Sequence, residues 1–369
     1  MRKRHKGGSQ MYPRLYVHKD RTYNNAKAVV SLCAEQGIDV TGVVKGCSGN
    51  IAASKAVLKA GVKQVGSSRM SQIEAIKKEI PDAKTLMLRI PMISEIEKLV
   101  TFCDYSLQSE YEIIELVEHE CHNQGKTHDV ILMMDLGDLR EGYMNEEEII
   151  SVAAKVENDM KYVKLAGIGT NVGCYGSVKA TPDNLGKLVA IAYKIEALIG
   201  RKLDIVSGGA TSSLPLVVGG EMPKGINHLR IGEGLLTCRE VSEFYHSPVV
   251  GQTTDAFILE AEIVEIKTKP TYPIGELAYD AFGNKPSFED RGIKKRMLLA
   301  VGRQDFGQHE KLVSLDETIE IIGSSSDHLI VEVSEQSKSY KLGDTISFEI
   351  MYPAMLYLTE SPDVFKVVV

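Results

Sequence analysis

The chain has 369 residues, 43% of them hydrophobic and 25% charged, with a formal net charge of −7. This length accommodates one large domain and a smaller one, and the acidic balance works against binding nucleic-acid phosphates. No apolar run reaches membrane-spanning length and no signal peptide is recognisable, so neither a membrane nor a nucleic-acid partner is expected.

Residues 1–10 are basic and punctuated by Gly and Ser ahead of a second methionine, Met11. Residues 1–11 are expected to form a disordered tail. From residue 15 to about 245, short apolar runs alternate with helical patterns. Helical spacing over 24–36 leads into a β-branched run at 38–44. A helix at 51–60, a strand at 64–66, a helix at 70–78 and a strand at 85–90 follow. The pattern continues with 93–102, then 105–107, an amphipathic helix at 110–124, a buried strand at 130–136 and a helix at 146–160. It closes with strands at 165–171, 203–207 and 228–232, with a helix at 182–199 between the first two. Repeated βα units of this length predict a parallel sheet, and about eight of them predict a closed (β/α)8 barrel, with a doubly wound open sheet as the alternative. Beyond residue 246, runs at 256–268, 296–301, 319–322, 329–333 and 346–350 read as strands joined by Gly, Asp and Ser turns. The fold class is therefore α/β, a barrel over 12–246 followed by a small antiparallel β domain over 247–369.

Barrel chemistry gathers where strands end at their carboxyl side. Lys45 ends the 38–44 run just before Gly46, Ser48 and Gly49. Desolvation there lowers a lysine's pKa and makes its amine able to form a Schiff base; snorkelling to solvent is the plainer alternative. Further strand ends carry Asp135 to Arg140, then Asn171 with Cys174 and Tyr175. The last two carry Ser207 to Ser213 with Thr211, and Arg230 with Gly232 and Glu233. The hydroxyl- and glycine-rich loops after the last two strands suit a phosphate. Gly167-Ile168-Gly169 lacks a third glycine and a following helix, so it is not read as a dinucleotide fingerprint. His119-Glu120-Cys121-His122 has the wrong spacing for a zinc helix and is read as a solvated helix face, so no metal is expected. The six cysteines are scattered without paired spacing, which predicts reduced thiols and a cytoplasmic protein.

Several motifs together resemble the pyridoxal-phosphate enzymes of the alanine racemase fold, and more closely their ornithine racemase branch, with lysine racemases also similar. They are Val44-Lys45, Leu88 to Met92, Met134 to Gly142, Asn171 with Cys174-Tyr175-Gly176, Asn227 to Glu233, Asp280 to Pro286 and Ser325 to Ile330. The resemblance implies a racemase of a basic amino acid, ornithine or lysine, working through an aldimine on Lys45 and deprotonation and reprotonation of the α-carbon. It implies Arg140 beside the cofactor's phenolic oxygen and Arg230 facing the pyridine nitrogen. Thr211 and the backbone at Gly232 and Glu233 would hold the phosphate, with Tyr352 as a further contact. Asn171 stands where alanine racemases place a histidine, and Ala210-Thr211 where ornithine racemases tend to show Asn-Ser.

Arg230 cannot act as an acid, so a pyridine nitrogen facing it stays unprotonated; the resulting weak electron sink favours racemisation. A second acid/base group is also required. Arg303 stands where alanine racemases carry a tyrosine of the partner subunit that serves as this group, which leaves Tyr175, Cys174, Tyr279 and His328 as candidates, Tyr175 being preferred. Asp327 occupies the place of an aspartate that grips a distal ammonium in related decarboxylases, so Asp327 and Arg303 are the expected substrate contacts. A homodimer with sites completed across its interface is implied. A non-catalytic pyridoxal-phosphate carrier, or a racemase of alanine or another amino acid, is the alternative; carriers of that kind lack a C-terminal β domain.

Overall fold

A computed structural model of the protein describes residues 11–285 and 287–369; the basic segment 1–10 and Pro286 lie outside the described residues. The chain divides into two compact units. One is Lys19–Thr254, and the other joins the segment ending at His18 to Asp255–Val369.

The described strands run in chain order β1 (Arg14–Val17), β2 (Asp39–Val43), β3 (Gln64–Ser67), β4 (Thr85–Met87), β5 (Tyr105–Gln108), β6 (His128–Met133), β7 (Val163–Gly169), β8 (Ile205–Ser207) and β9 (His228–Ile231). β2 to β9 form a closed barrel. All pairings are parallel, and β9 closes onto β2 with Asp39 opposite His228 and Thr41 opposite Arg230. Inside, Leu86, Leu107, Ile131, Met133, Ala166 and Ile205 pack together. Outside, the helices bury their apolar stripes, for example Ile114, Val117 and Cys121 from Tyr111–Gln124.

Local chemistry sets the helix ends. Asn50 and Asn145 accept from the backbone N–H groups of Ala53 and Glu148, and Thr181 forms a capping box with Asn184 ahead of Pro182. Each such cap contributes about 1 kcal/mol. Gly125 and Gly200 close their helices at φ 64° and 75°, where a side chain would be strained.

The second unit is antiparallel apart from one pairing. It contains β10 (Phe257–Pro270), β11 (Ile293–Leu299), β12 (Leu312–Ser314), β13 (Ile319–Ser324), β14 (Leu329–Val333), β15 (Thr345–Ile350) and β16 (Phe365–Val368). Their order is β12-β15-β10-β11-β14-β13, with β1 antiparallel to β10 and parallel to β16. Phe257, Phe306 and Phe348 are fully buried in it. Glu332, also buried, is held by both Arg291 and Arg296.

Three sequence expectations change. The pattern places the segment from residue 12 in the barrel, but β1 belongs to the sheet unit because its backbone groups are satisfied by β10 and β16. The boundary near 246 moves to Thr254 and Asp255. Nor is residues 119–122 a wholly solvated face: Cys121 is buried in the core while His119 is exposed, so the four side chains diverge.

Candidate active site

Lys45 follows β2 and Val44 and opens a short 3-10 turn, Lys45–Cys47, which ends on Ser48 at φ 50°. The half-buried side chain makes no hydrogen bond or ion pair among the described residues. Its amine is held below the ordinary lysine range, chiefly by burial. The Arg140 and Arg230 charges push the same way, against Cys174 and Glu141. A lysine in that condition releases its proton more readily and is a better nucleophile.

Arg230 lies inside the barrel on β9, 3% exposed. Its Nη1 donates to Ser207 Oγ at 2.5 Å and its Nη2 to the Thr170 carbonyl oxygen at 2.7 Å. Room for it comes from Gly169, where a Cβ would lie 3.3 Å from Nη1 and 3.1 Å from the Ser207 Cβ. Gly167 is small for another reason, since a Cβ there would sit 1.7 Å from the Ile205 carbonyl oxygen. The glycines of Gly167-Ile168-Gly169 therefore serve packing. Burial draws the Arg230 pKa down to about 10, so it stays charged at neutral pH. No carboxylate pairs with it directly, and several of its N–H donors have no acceptor among the described residues. A buried cation in that condition calls for an acceptor from outside the chain.

Asn171 is buried two residues beyond Gly169, and its Nδ2 has no partner. The loop after it is set by Asp138, whose carboxylate accepts from the backbone N–H groups of Gly173, Cys174, Tyr175 and Val178 at 2.9, 3.3, 2.9 and 3.1 Å. Ser212 Oγ also donates to the Val172 carbonyl at 2.6 Å. That loop leaves Cys174 exposed, the only exposed thiol of the six, and Tyr175 71% exposed. Cys174 faces the charges of Lys45, Arg140 and Arg230 closely enough to influence all three. Arg140, preceded by Leu139 at φ 56°, forks onto Glu141, with Nη2 to Oε1 at 2.5 Å and Nε to Oε2. The ion pair outweighs burial and raises the Arg140 pKa.

On the β8 and β9 side, Thr211 Oγ1 accepts from the N–H groups of Gly232 and Gly234 at 3.4 and 3.3 Å. These bonds are long and easily exchanged. A Cβ on Gly234 would lie 3.3 Å from the Thr211 methyl, and one on Gly209, at φ 115°, 2.6 Å from Ser213 Oγ. The Glu233 side chain turns away, accepting from Thr237 Oγ1 at 2.9 Å and the Glu240 N–H at 3.0 Å, so only its backbone faces this cradle.

Three expected site residues lie in the sheet unit. Arg303 donates from Nε to Ser324 Oγ at 3.0 Å and lies over the Phe282 ring at 4.2 Å. Asp327 accepts from Gln304 Nε2 at 2.8 Å and Ser326 Oγ at 2.7 Å. The two loops are zipped by backbone bonds from Arg303 to Ser325 and from Gln304 to Ser326, and a Cβ on Gly302 would lie 1.9 Å from the Ser326 carbonyl. Tyr352 begins the helix Tyr352–Glu360. The roles of Ser207, His228 and Asp138 were not read from the sequence. The inward alternation of β8 and β9 was the available signal for the first two.

The barrel site thus combines an amine of lowered pKa, a buried cation with unfilled donors, an unpartnered amide and a hydroxyl- and N–H-lined cradle. This set suits a phosphorylated carbonyl compound that also presents a hydrogen-bond acceptor. Residues 17–239 match the family model described as alanine racemase, N-terminal domain. The chain is 41% identical over 351 residues to an ornithine racemase of Acetoanaerobium sticklandii, covering 94% of this chain and 96% of that one. It is 35% identical over 357 residues to a lysine racemase of Thermotoga maritima, covering 97% and 98%. Among solved structures, an alanine racemase from Streptomyces lavendulae superimposes with a TM-score of 0.75 at 13% identity, covering 98% of each chain.

Proposed function

Because the chain belongs to the alanine racemase N-terminal domain family, we propose that it is a pyridoxal-phosphate-dependent racemase that interconverts the enantiomers of a basic amino acid, ornithine or lysine. The observation that carries this reading is the unpaired Lys45 amine, held below its ordinary pKa chiefly by burial, with the Arg140 and Arg230 charges pushing the same way. Its two full-length relatives, named for ornithine and for lysine, supply the substrate class.

The cofactor's residues follow from the donor set. Lys45 would anchor its aldehyde, with Arg140 and Asn171 toward its ring and Arg230 as the donor for the ring nitrogen. Thr211, with the backbone of Gly232 and Glu233, would hold the phosphate, and Tyr352 would add a contact. When bound, the cofactor supplies a conjugated ring that delocalises the electron pair left when the α-proton departs. Lys45 removes or returns that proton on one face. Arg230 is a compulsory donor that cannot protonate a ring nitrogen, which would leave the ring a weaker electron sink and so favour racemisation. A group on the other face supplies the opposite proton. We assign this role to Tyr175, with Cys174 as the second reading because its thiol faces the Lys45, Arg140 and Arg230 charges.

Asp327 takes the distal ammonium of the substrate and Arg303 its carboxylate, a charge-assisted pairing that an alanine side chain cannot use. The working form is a homodimer in which these loops serve the other copy's barrel. The sheet unit Asp255–Val369 weighs against a simple cofactor carrier, which has no use for it. Among the described residues no helix is long and apolar enough to cross a membrane.

The test is incubation of purified protein and pyridoxal phosphate with single L-amino acids, followed by chiral chromatography. D-ornithine or D-lysine without carbon dioxide release is the expected result. Binding of the cofactor with no D-product from any substrate would overturn the reading.

A further inference from the structure

Below Arg230 a chain of polar side chains runs through the barrel interior, and none of them is called for by packing alone. Ser207 Oγ, which accepts from Arg230 Nη1, lies 2.8 Å from His228 Nδ1, and His228 Nε2 lies 2.8 Å from Thr41 Oγ1. All four residues are buried: Ser207 and Thr41 at 0%, His228 and Arg230 at 3% exposure. Ser207 and Thr41 make no other side-chain hydrogen bond among the described residues.

We propose that His228 is a positioning residue for Arg230: acting through Ser207 as a neutral Nε2–H imidazole, it fixes the guanidinium that meets the cofactor's ring. The direction of donation follows from proton counting. Arg230 can only donate, so the Ser207 oxygen accepts from it. Ser207, His228 and Thr41 then have three hydrogens for two links, and one hydroxyl hydrogen goes without an acceptor. Were Nδ1 the protonated nitrogen, that orphan would be the Ser207 hydrogen, beside the guanidinium charge. With Nε2 protonated, the orphan is on Thr41, farther off. The imidazole then turns its lone pair toward the cation, and every dipole in the chain points the same way. Burial and the Arg230 charge also lower the His228 pKa to about 3, which excludes an imidazolium.

Two N–H groups of Arg230 are thus committed to fixed acceptors, Ser207 Oγ and the Thr170 carbonyl, and the rest face away from them. Loss of Ser207 frees the Nη1 edge and lets the plane rotate. A misplacement of about 1 Å at such a contact costs roughly 10- to 100-fold in turnover.

The kinetic half of this inference rests on the racemase reading; the tautomer half does not. The test uses holoenzyme with ring-15N-labelled histidine, the His228 signals being assigned by their loss in His228→Asn. The wild type is expected to show a neutral Nε2–H tautomer at pH 7. Ser207→Ala is expected to lower kcat about 10- to 100-fold with KM within about twofold, and Ser207→Thr, which keeps the hydroxyl, to restore kcat. An Nδ1–H tautomer or an imidazolium in the wild type overturns the proposal, as does a Ser207→Ala kcat equal to wild type. If the wild type racemises nothing, the functional reading fails while the tautomer still decides the relay.

Discussion

The Asp138 carboxylate accepts the backbone N–H of Tyr175 at 2.9 Å, and three further backbone N–H groups of the same loop converge on it. One buried anion thereby shapes the loop that carries Tyr175 and Cys174, the two residues proposed for the second proton. Burial works to raise the Asp138 pKa, but the backbone donors outweigh it and hold the carboxyl below its ordinary value. Such a group stabilises the fold at pH above its unfolded pKa of about 4, and the contribution fades as pH falls through the lower folded value. Asp138→Ala leaves four donors without their acceptor and is expected to destabilise the barrel by roughly 2–4 kcal/mol. Urea denaturation at pH 7 and at pH 3 checks this, and the wild-type advantage should be smaller at pH 3.

Lys45 illustrates function at the expense of stability. Its folded pKa lies below the ordinary value, so its ammonium form is better solvated in the unfolded chain than in the folded one. The penalty is fully present below the folded pKa and disappears as pH rises toward the unfolded one. Lys45→Met is therefore expected to abolish racemisation and the visible cofactor band. The same change should raise the melting temperature of the ligand-free protein by about 2 °C. Calorimetry of both proteins at pH 7 reads the second effect; a lower melting temperature for the variant contradicts it.

If Asp327 and Arg303 take the substrate, the zipped loops of the sheet unit set substrate choice. Asp327→Ala is expected to lower kcat/KM for ornithine and lysine roughly 100-fold, while the cofactor absorbance stays and alanine turnover changes little. The proposed homodimer can be tested with the same variant. Mixing inactive Lys45→Ala with Asp327→Ala protein, after dissociation and reassociation, should restore roughly a quarter of wild-type activity if sites are built from two copies. No recovery would place both residues in one copy.

Much of this organisation was legible beforehand because it repeats. Eight βα units are announced by local periodicity, and Lys45, Arg140, Asn171 and Arg230 fall at or beside strand ends that the periodicity locates. What stayed hidden depends on partners far along the chain. β1 has only four residues, and its pairing with β10 and β16 leaves no local trace, so Arg14–Val17 looked like part of the barrel. The helix at Tyr352 did have a signal, Pro353 in its first turn. The Ser207–His228 contact did not: alternation puts both inside, yet nothing in the sequence states that their hydrogen-bonding atoms lie 2.8 Å apart.

The second proton group can be settled by isotope exchange, because in the proposed mechanism the two faces of the substrate are served by different residues. Lys45 would handle one enantiomer's α-hydrogen and the opposite group the other's. If Tyr175 is that group, Tyr175→Phe in deuterium oxide should still exchange the α-hydrogen of one enantiomer while losing interconversion by roughly 100-fold or more. Cys174→Ala should keep both within a few-fold. The reverse pattern, with Cys174→Ala exchanging one enantiomer and Tyr175→Phe nearly unaffected, moves the role to the thiol that faces Lys45, Arg140 and Arg230. In that case the exposed Tyr175 ring is a feature of the loop that Asp138 holds and takes no part in proton transfer. Symmetric losses in both variants would mean that each disturbs the loop as a whole, and proton NMR of recovered substrate separates that outcome from the other two.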